Sequence, residues 1–106
     1  MRMFLTISTL AVLSTTAVAA ADAKAGKAVY QSKCKGCHGP DGAGNPAVAK
    51  MMKVEIRDLK SPGVQALTDD DIKKIVTDGK GKMSAVATVT GVALDNVVAY
   101  VRSLKK

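Results

Sequence analysis

The two cysteines and the single histidine of this 106-residue chain fall within five consecutive positions, Cys34-Lys35-Gly36-Cys37-His38. Two thiols and an imidazole at that spacing suit covalent attachment of haem. Cysteines three apart on a turn can present both sulfurs to the two vinyl groups along one side of a porphyrin. The adjacent His38 can then swing its imidazole under the iron as proximal ligand. Lys35 and Gly36 act as spacers. Other chemistries fit these residues less well. A disulfide between Cys34 and Cys37 would close a very short loop and restrain little of the unfolded chain. A thioredoxin-like redox site belongs beside a βαβ pattern, which the sequence lacks. Structural zinc wants four strong ligands, and two cysteines with one histidine supply at most three.

The elements that must position these groups come after an amino-terminal leader. Residues 1–21 begin with Arg2, continue through an apolar run from Phe4 to Val18 and end on small residues, the three-part pattern of a secretory signal peptide. The run is fifteen residues long, six of them Thr or Ser, and as a helix it falls short of the ~30 Å hydrocarbon core, so stable membrane insertion is not expected. Ala-x-Ala sites permit cleavage before Ala20 or before Asp22. Export to the periplasm follows. Removing residues 1–21 also removes the only Phe, leaving Tyr30 and Tyr100 as the aromatic side chains of the remainder. A domain near this size with so little aromatic bulk commonly needs a cofactor, metal or disulfide to supplement its packing.

From Asp22 onward the chain reads as one domain without repeats or linkers. Ala23 to Lys33 favours a helix running into the first cysteine. Gly36, Gly39, Pro40, Gly42, Gly44 and Pro46 argue against regular structure until about Ala47, after which Ala47 to Lys53 can form a short helix. Residues 54–67 are irregular, with a turn at Ser61-Pro62-Gly63. Thr68 and Asp71 form a capping-box pair ahead of Ile72, Ile75 and Val76, and Gly79 stops that helix. After a second loop, Thr90 is the expected cap of a last helix whose apolar stripe is Leu94, Val97, Val98, Val101 and Leu104. The expected class is all-α, with three or more helices. Fifteen basic against nine acidic residues leave the processed chain a net charge of +6, which attracts acidic partner surfaces. Nucleic acid is not an expected partner, since the lysines are scattered, no recognised motif is present and few aromatics could stack on bases.

From Ala25 to Leu104 the sequence resembles the small class I bacterial cytochromes c. The resemblance rests on Gly26, Tyr30, the run Cys34 to Gly39, the run Gly79-Lys80-Gly81-Lys82-Met83, and Tyr100-Val101-Arg102-Ser103-Leu104. It implies that residues 22–106 form a cytochrome c domain, with the helices wrapped around one covalently bound haem c and its iron. It also implies that the first and last helices cross where Gly26 allows close approach, with Tyr30 and Tyr100 packed near the crossing. Among Met51, Met52 and Met83, the match to the family's ligand loop assigns Met83 as the second axial ligand opposite His38. Met51 and Met52, on a short helix, are expected to line the pocket. The family commonly has Pro directly after this methionine, and here Ser84 stands there. The resemblance further places the second ring nitrogen of His38 on the carbonyl of Pro46 or Asn45. Lys53, Arg57 and Lys60 are available to haem propionates.

His/Met ligation leaves no open iron position and raises the potential, so the expected function is one-electron transfer as a monomeric carrier between redox proteins with acidic docking surfaces. Lys33, Lys35, Lys80 and Lys82 could surround the exposed haem edge. A ligand-binding sensor would need Met83 absent or easily displaced. An enzyme such as a peroxidase would need that opening together with a distal acid or base, and no second histidine exists, so no catalytic residue is assigned. A detached cytochrome subunit of a larger redox enzyme is the remaining alternative.

Overall fold

The computed structural model describes residue 11 and residues 21–105; apart from Ala11 and Ala21, the expected leader lies outside the described residues. Six helices follow one another: α1 Ala23–Lys33, α2 Lys35–His38, α3 Pro46–Met52, α4 Pro62–Gln65, α5 Asp69–Asp78 and α6 Gly91–Ser103. Among the described residues there is no strand, only an isolated bridge between Lys80 and Met83. None of the helices is long and apolar enough to cross a membrane.

Most helix starts have a local cause. The Asp22 carboxylate accepts from the Lys24 and Ala25 amides at the head of α1. Asn45 does the same for Ala47 and Val48 at α3, where Pro46 occupies the first turn and sacrifices no intrahelical bond there. Thr68 and Asp71 close a reciprocal capping box on α5. Two local expectations differ from the structure. The Cys-His segment is itself one helical turn, because the His38 amide reaches the Cys34 carbonyl at 3.0 Å and the left-handed glycines begin only at Gly39, φ +78°. Pro62, behind the Ser61 cap, opens a second single helical turn, Pro62–Gln65, within the stretch expected to be irregular apart from a turn at Ser61-Pro62-Gly63. A third expectation, the Thr90 cap, also differs: its hydroxyl makes no capping bond. Gly91, the first residue of α6, adopts φ +56°, so the chain does not run directly from Thr90 into a right-handed turn.

The fold is organised by the crossing of α1 and α6. A Cβ on Gly26 would lie 1.9 Å from the Asn96 carbonyl oxygen, so only glycine lets the two backbones meet. One turn further on, the Tyr30 and Tyr100 rings pack with centroids 5.0 Å apart and planes inclined by 53°, within the range of favourable aromatic pairs. α6 then feeds two apolar clusters. Val97 and Tyr100 join Tyr30, Val76 and Val89 on one flank; Val98 and Val101 join Val64 and Ile72 on the other. α5 contributes to both, Val76 to the first and Ile72 to the second. Arg102 locks the second flank, its guanidinium donating to the Gln65 and Leu67 carbonyls and to the Asp69 carboxylate.

Candidate functional site

α1 delivers the chain into the site. The Cys34 amide closes the end of that helix on the Tyr30 carbonyl at 2.8 Å. Cys34 and Cys37 stand on the turn that follows as free thiols. Cys34 packs against the Tyr30 cluster, and burial pushes its thiol above the ordinary range; Cys37 is exposed. The carbonyls of the turn are held from one side: Gly44 donates to His38 and Asn45 to Cys37, each at 2.8 Å. The Asn45 side-chain amide adds a bond to the Gly36 carbonyl at 3.1 Å. Asn45 therefore does two tasks, capping α3 with its oxygen and bracing the Cys-His turn with its nitrogen. Tyr30 braces the same turn from inside, donating its hydroxyl to the Gly39 carbonyl at 2.5 Å.

The His38 ring nitrogen Nδ1 is buried and has no hydrogen-bond partner. The bond expected from His38 to the Pro46 or Asn45 carbonyl is not formed; the Asn45 carbonyl accepts the Ala49 amide at 3.0 Å in the first turn of α3. Burial lowers the imidazole's affinity for a proton, so the ring is neutral at neutral pH, the form that ligates a metal. Two unbridged thiols and a half-buried imidazole with one buried, unsatisfied nitrogen share one turn beside a small core. Those features fit a covalently held haem, and Cys34, Cys37 and His38 are the residues that would hold it.

Met83 sits on the loop between α5 and α6. Gly79 ends α5 at φ +79°, and a Cβ there would lie 2.6 Å from the Met83 carbonyl oxygen, so the chain doubles back only because the residue is glycine. Lys80 and Met83 then exchange backbone hydrogen bonds at 3.0 Å each. The Met83 side chain is half-buried. Among the described residues no hydrogen bond joins this turn directly to the Cys34–His38 turn, but the two segments meet through the Tyr30 cluster, where Cys34 and Val86 both pack. Met51 is 75% exposed; Met52 is half-buried.

The surrounding cations divide into groups. Lys33, Lys35 and Lys80 are exposed. Lys82, also exposed, places its ammonium 2.6 Å from the Met52 carbonyl. Of the three candidates for propionates, Lys60 pairs with Asp41 at 3.5 Å, Arg57 extends over Gly63, and Lys53 is exposed at the left-handed end of α3.

The sequence profile of the family described as "Cytochrome C oxidase, cbb3-type, subunit III" matches residues 21–101. A curated relative, cytochrome c6 of Rippkaea orientalis, is 37% identical over 100 residues, covering 92% of this chain and 85% of the relative. Cytochrome c-554(547) of Halothiobacillus neapolitanus is 32% identical over 92 residues, covering 81% of this chain and all of the relative. Among solved structures, "KustC0563 c-type cytochrome" superposes with a TM-score of 0.64 at 25% identity, over 76% of this chain and 98% of that one.

Proposed function

The chain belongs to the class I c-type cytochromes, and from that premise we propose that it shuttles single electrons in the bacterial periplasm through a His38/Met83-ligated haem. It is an electron carrier with a covalent haem c. In the proposed site Cys34 and Cys37 would form the two thioethers, His38 would supply the ring nitrogen and Met83 the thioether sulfur that hold the iron. When bound, the haem provides a one-electron iron couple. The protein's part is to keep both axial positions filled and water away from the metal, and thioether ligation favours the reduced state. No residue is assigned a catalytic role.

The observation that carries this reading is the buried, unpartnered nitrogen of His38 on the same turn as two free thiols. The doubled-back loop that presents Met83 supports the second axial position. Export rests on the leader pattern of residues 1–21, and α1 begins at Ala23 with Asp22 as its cap, so cleavage before either Ala20 or Asp22 leaves the folded part whole. Exposed Lys33, Lys35 and Lys80 support docking on acidic redox partners as a monomer. The oxidase-subunit family that matches residues 21–101 favours one second reading, in which the chain delivers electrons as a subunit of a larger oxidase.

The test begins with protein exported through a cytochrome maturation pathway. Haem should stay on the polypeptide through a denaturing gel, and haem extractable into acidified organic solvent would refute the thioethers. The oxidised protein should show the weak near-infrared band of a methionine-ligated ferric haem. Met83→Ala should abolish it, lower the potential and open the iron to small ligands, while Met51→Ala and Met52→Ala leave it in place. A wild-type protein that lacks the band and binds carbon monoxide rapidly when reduced would instead be a sensor. Purification at low salt in stable association with a membrane oxidase would favour the subunit reading.

A further inference from the structure

We propose that Lys82 is a positioning residue: its ammonium latches the Met83 loop onto the carboxyl end of α3 and so keeps the sixth iron position closed. This rests on Met83 as the sixth ligand. The latch itself is visible as a hydrogen bond of 2.6 Å from Lys82 Nζ to the Met52 carbonyl, spanning thirty residues of sequence. Charge-assisted bonds of this kind are shorter and stronger than neutral ones.

Both ends of the bond are suited to it. Met52 is the last residue of α3, where carbonyls lack an acceptor role inside the helix. The chain leaves that helix at Lys53 with φ +54°. The next two amides return to carbonyls further back, Lys53 to Ala49 and Lys50 and Val54 to Ala49. The Met52 carbonyl is thus left for a donor from elsewhere, and a cation suits the negative end of a helix.

The loop, for its part, needs an outside tie. Its Lys80 and Met83 backbone bonds are internal, and the next anchor is the Val86 amide on the Val76 carbonyl at 2.7 Å. Among the described residues, the Lys82 bond is the one hydrogen bond that joins residues 80–85 to another segment. Gly79 and Gly81 both adopt positive φ, and Ser84 follows Met83, so no proline restrains the chain there. A latch on the residue just before the ligand limits how far Met83 can swing. Lys80 offers an internal control: it carries the same charge in the same loop, it is exposed, and its ammonium makes no hydrogen bond among the described residues.

The experiment uses the haem-loaded, processed protein and its Lys82→Ala, Lys82→Arg and Lys80→Ala variants. The readouts are the rate of imidazole binding to the oxidised iron, amide hydrogen exchange at Met83, and the near-infrared band. Lys82→Ala should raise the imidazole on-rate and the Met83 exchange rate about fivefold, equivalent to ~1 kcal/mol at 1.36 kcal/mol per tenfold. Lys82→Arg should restore most of the difference, and Lys80→Ala should keep the parent's imidazole on-rate and Met83 exchange rate. Exchange in α1 and α6 should be unchanged in all three. Equal rates in Lys82→Ala and the parent, with the band intact, would overturn the latch alone. An equal increase in Lys80→Ala would reduce it to a charge effect, and faster exchange throughout α1 and α6 would reduce it to general stability. A parent without the band, or a band that survives Met83→Ala, would remove the Met83 reading and the latch with it.

Discussion

Replacing Gly26 by alanine tests the central joint of the fold, because two simple expectations about it have opposite sign. In an exposed helix the change gains up to about 1 kcal/mol, since alanine loses less backbone freedom on folding. In this protein the new methyl would lie 1.9 Å from the Asn96 oxygen, 2.4 Å from its carbonyl carbon and 3.0 Å from Tyr100 Cβ. An ordinary C···O contact begins near 3.3 Å, so the helices must separate by about 1.4 Å, and the first two obstacles are backbone that cannot rotate aside. A gap of 0.5–1 Å already forfeits roughly a quarter to a half of each dispersion contact along an interface. Overpacking typically costs about 1–3 kcal/mol, and a clash between two backbones belongs at the upper end, about 3 kcal/mol. Subtracting the propensity gain leaves a net loss of about 2 kcal/mol. For a domain of this length, total stability is on the order of 4–13 kcal/mol, so the effect is easily read. Urea unfolding of the haem-loaded protein, followed by far-ultraviolet circular dichroism and by the Soret band, should show the midpoint fall without a change of slope. Gly36→Ala is the control, because nothing lies within 4 Å of a Cβ there. Equal midpoints for the two variants, or a gain from Gly26→Ala, would refute the close-crossing argument.

Further outcomes follow from other contacts. Tyr30→Phe removes the donor to the buried Gly39 carbonyl and should cost about 1–2 kcal/mol in the same unfolding assay. Burial, then the neighbouring Tyr100, pushes the Tyr30 hydroxyl up to about 12 from 10.0, so its contribution is intact below pH 10 and is lost as pH rises through about 12. An alkaline stability titration should show that loss in the parent and lack it in Tyr30→Phe. Thr68→Ala breaks the capping box on α5 and should cost about 1 kcal/mol, with Thr68→Ser close to neutral. For docking, association with an acidic redox partner should slow as salt brings the Debye length to about 10 Å. Glutamate at Lys33, Lys35 and Lys80 should lower the on-rate more than glutamate at Lys105 and Lys106, and equal effects would indicate general charge without a local patch.

Features set by neighbours in the chain were legible in the sequence, and features set across the fold were not. The capping box at Thr68 and Asp71, the stop at Gly79 and the stripe on α6 depend on residues a few positions apart, and each appears where the pattern puts it. The Gly26 crossing was legible only through resemblance, since nothing local marks one glycine in an Ala- and Lys-rich helix as a contact point. The double role of Asn45 could not be read because its second partner, the Gly36 carbonyl, lies nine residues back across a loop. Thr90 misled for a subtler reason. A hydroxyl before an apolar stripe is the usual signal of a cap, but its geometry is decided by the φ of Gly91, which composition does not reveal. At the site, the Cys-His spacing identified the thiols and the imidazole together. The assignment of Met83 as second ligand rests on a loop match, because Met51 and Met52 look much like Met83 in sequence.

The distribution of packing shows why one polar tie would matter to the Met83 loop. The first apolar cluster is built chiefly from α1, α5 and α6 and the second from α4, α5 and α6, and residues 79–88 contribute no fully buried side chain. The helical frame thus has cooperative packing to hold it, whereas the segment carrying Met83 has Val86 against the core and the Lys82 bond to α3. Local opening free energies fall where buried contacts are few, so this loop should open before the frame unfolds. If Met83 ligates the iron as proposed, that order of events sets a requirement: an open loop would expose the iron to other ligands and lower its potential, while the helix pair still appears native. Any device that raises the loop's opening energy therefore protects function without adding to global stability. In the proposal Lys82 acts at that point, one residue before Met83 and on a helix end whose last carbonyl accepts its ammonium.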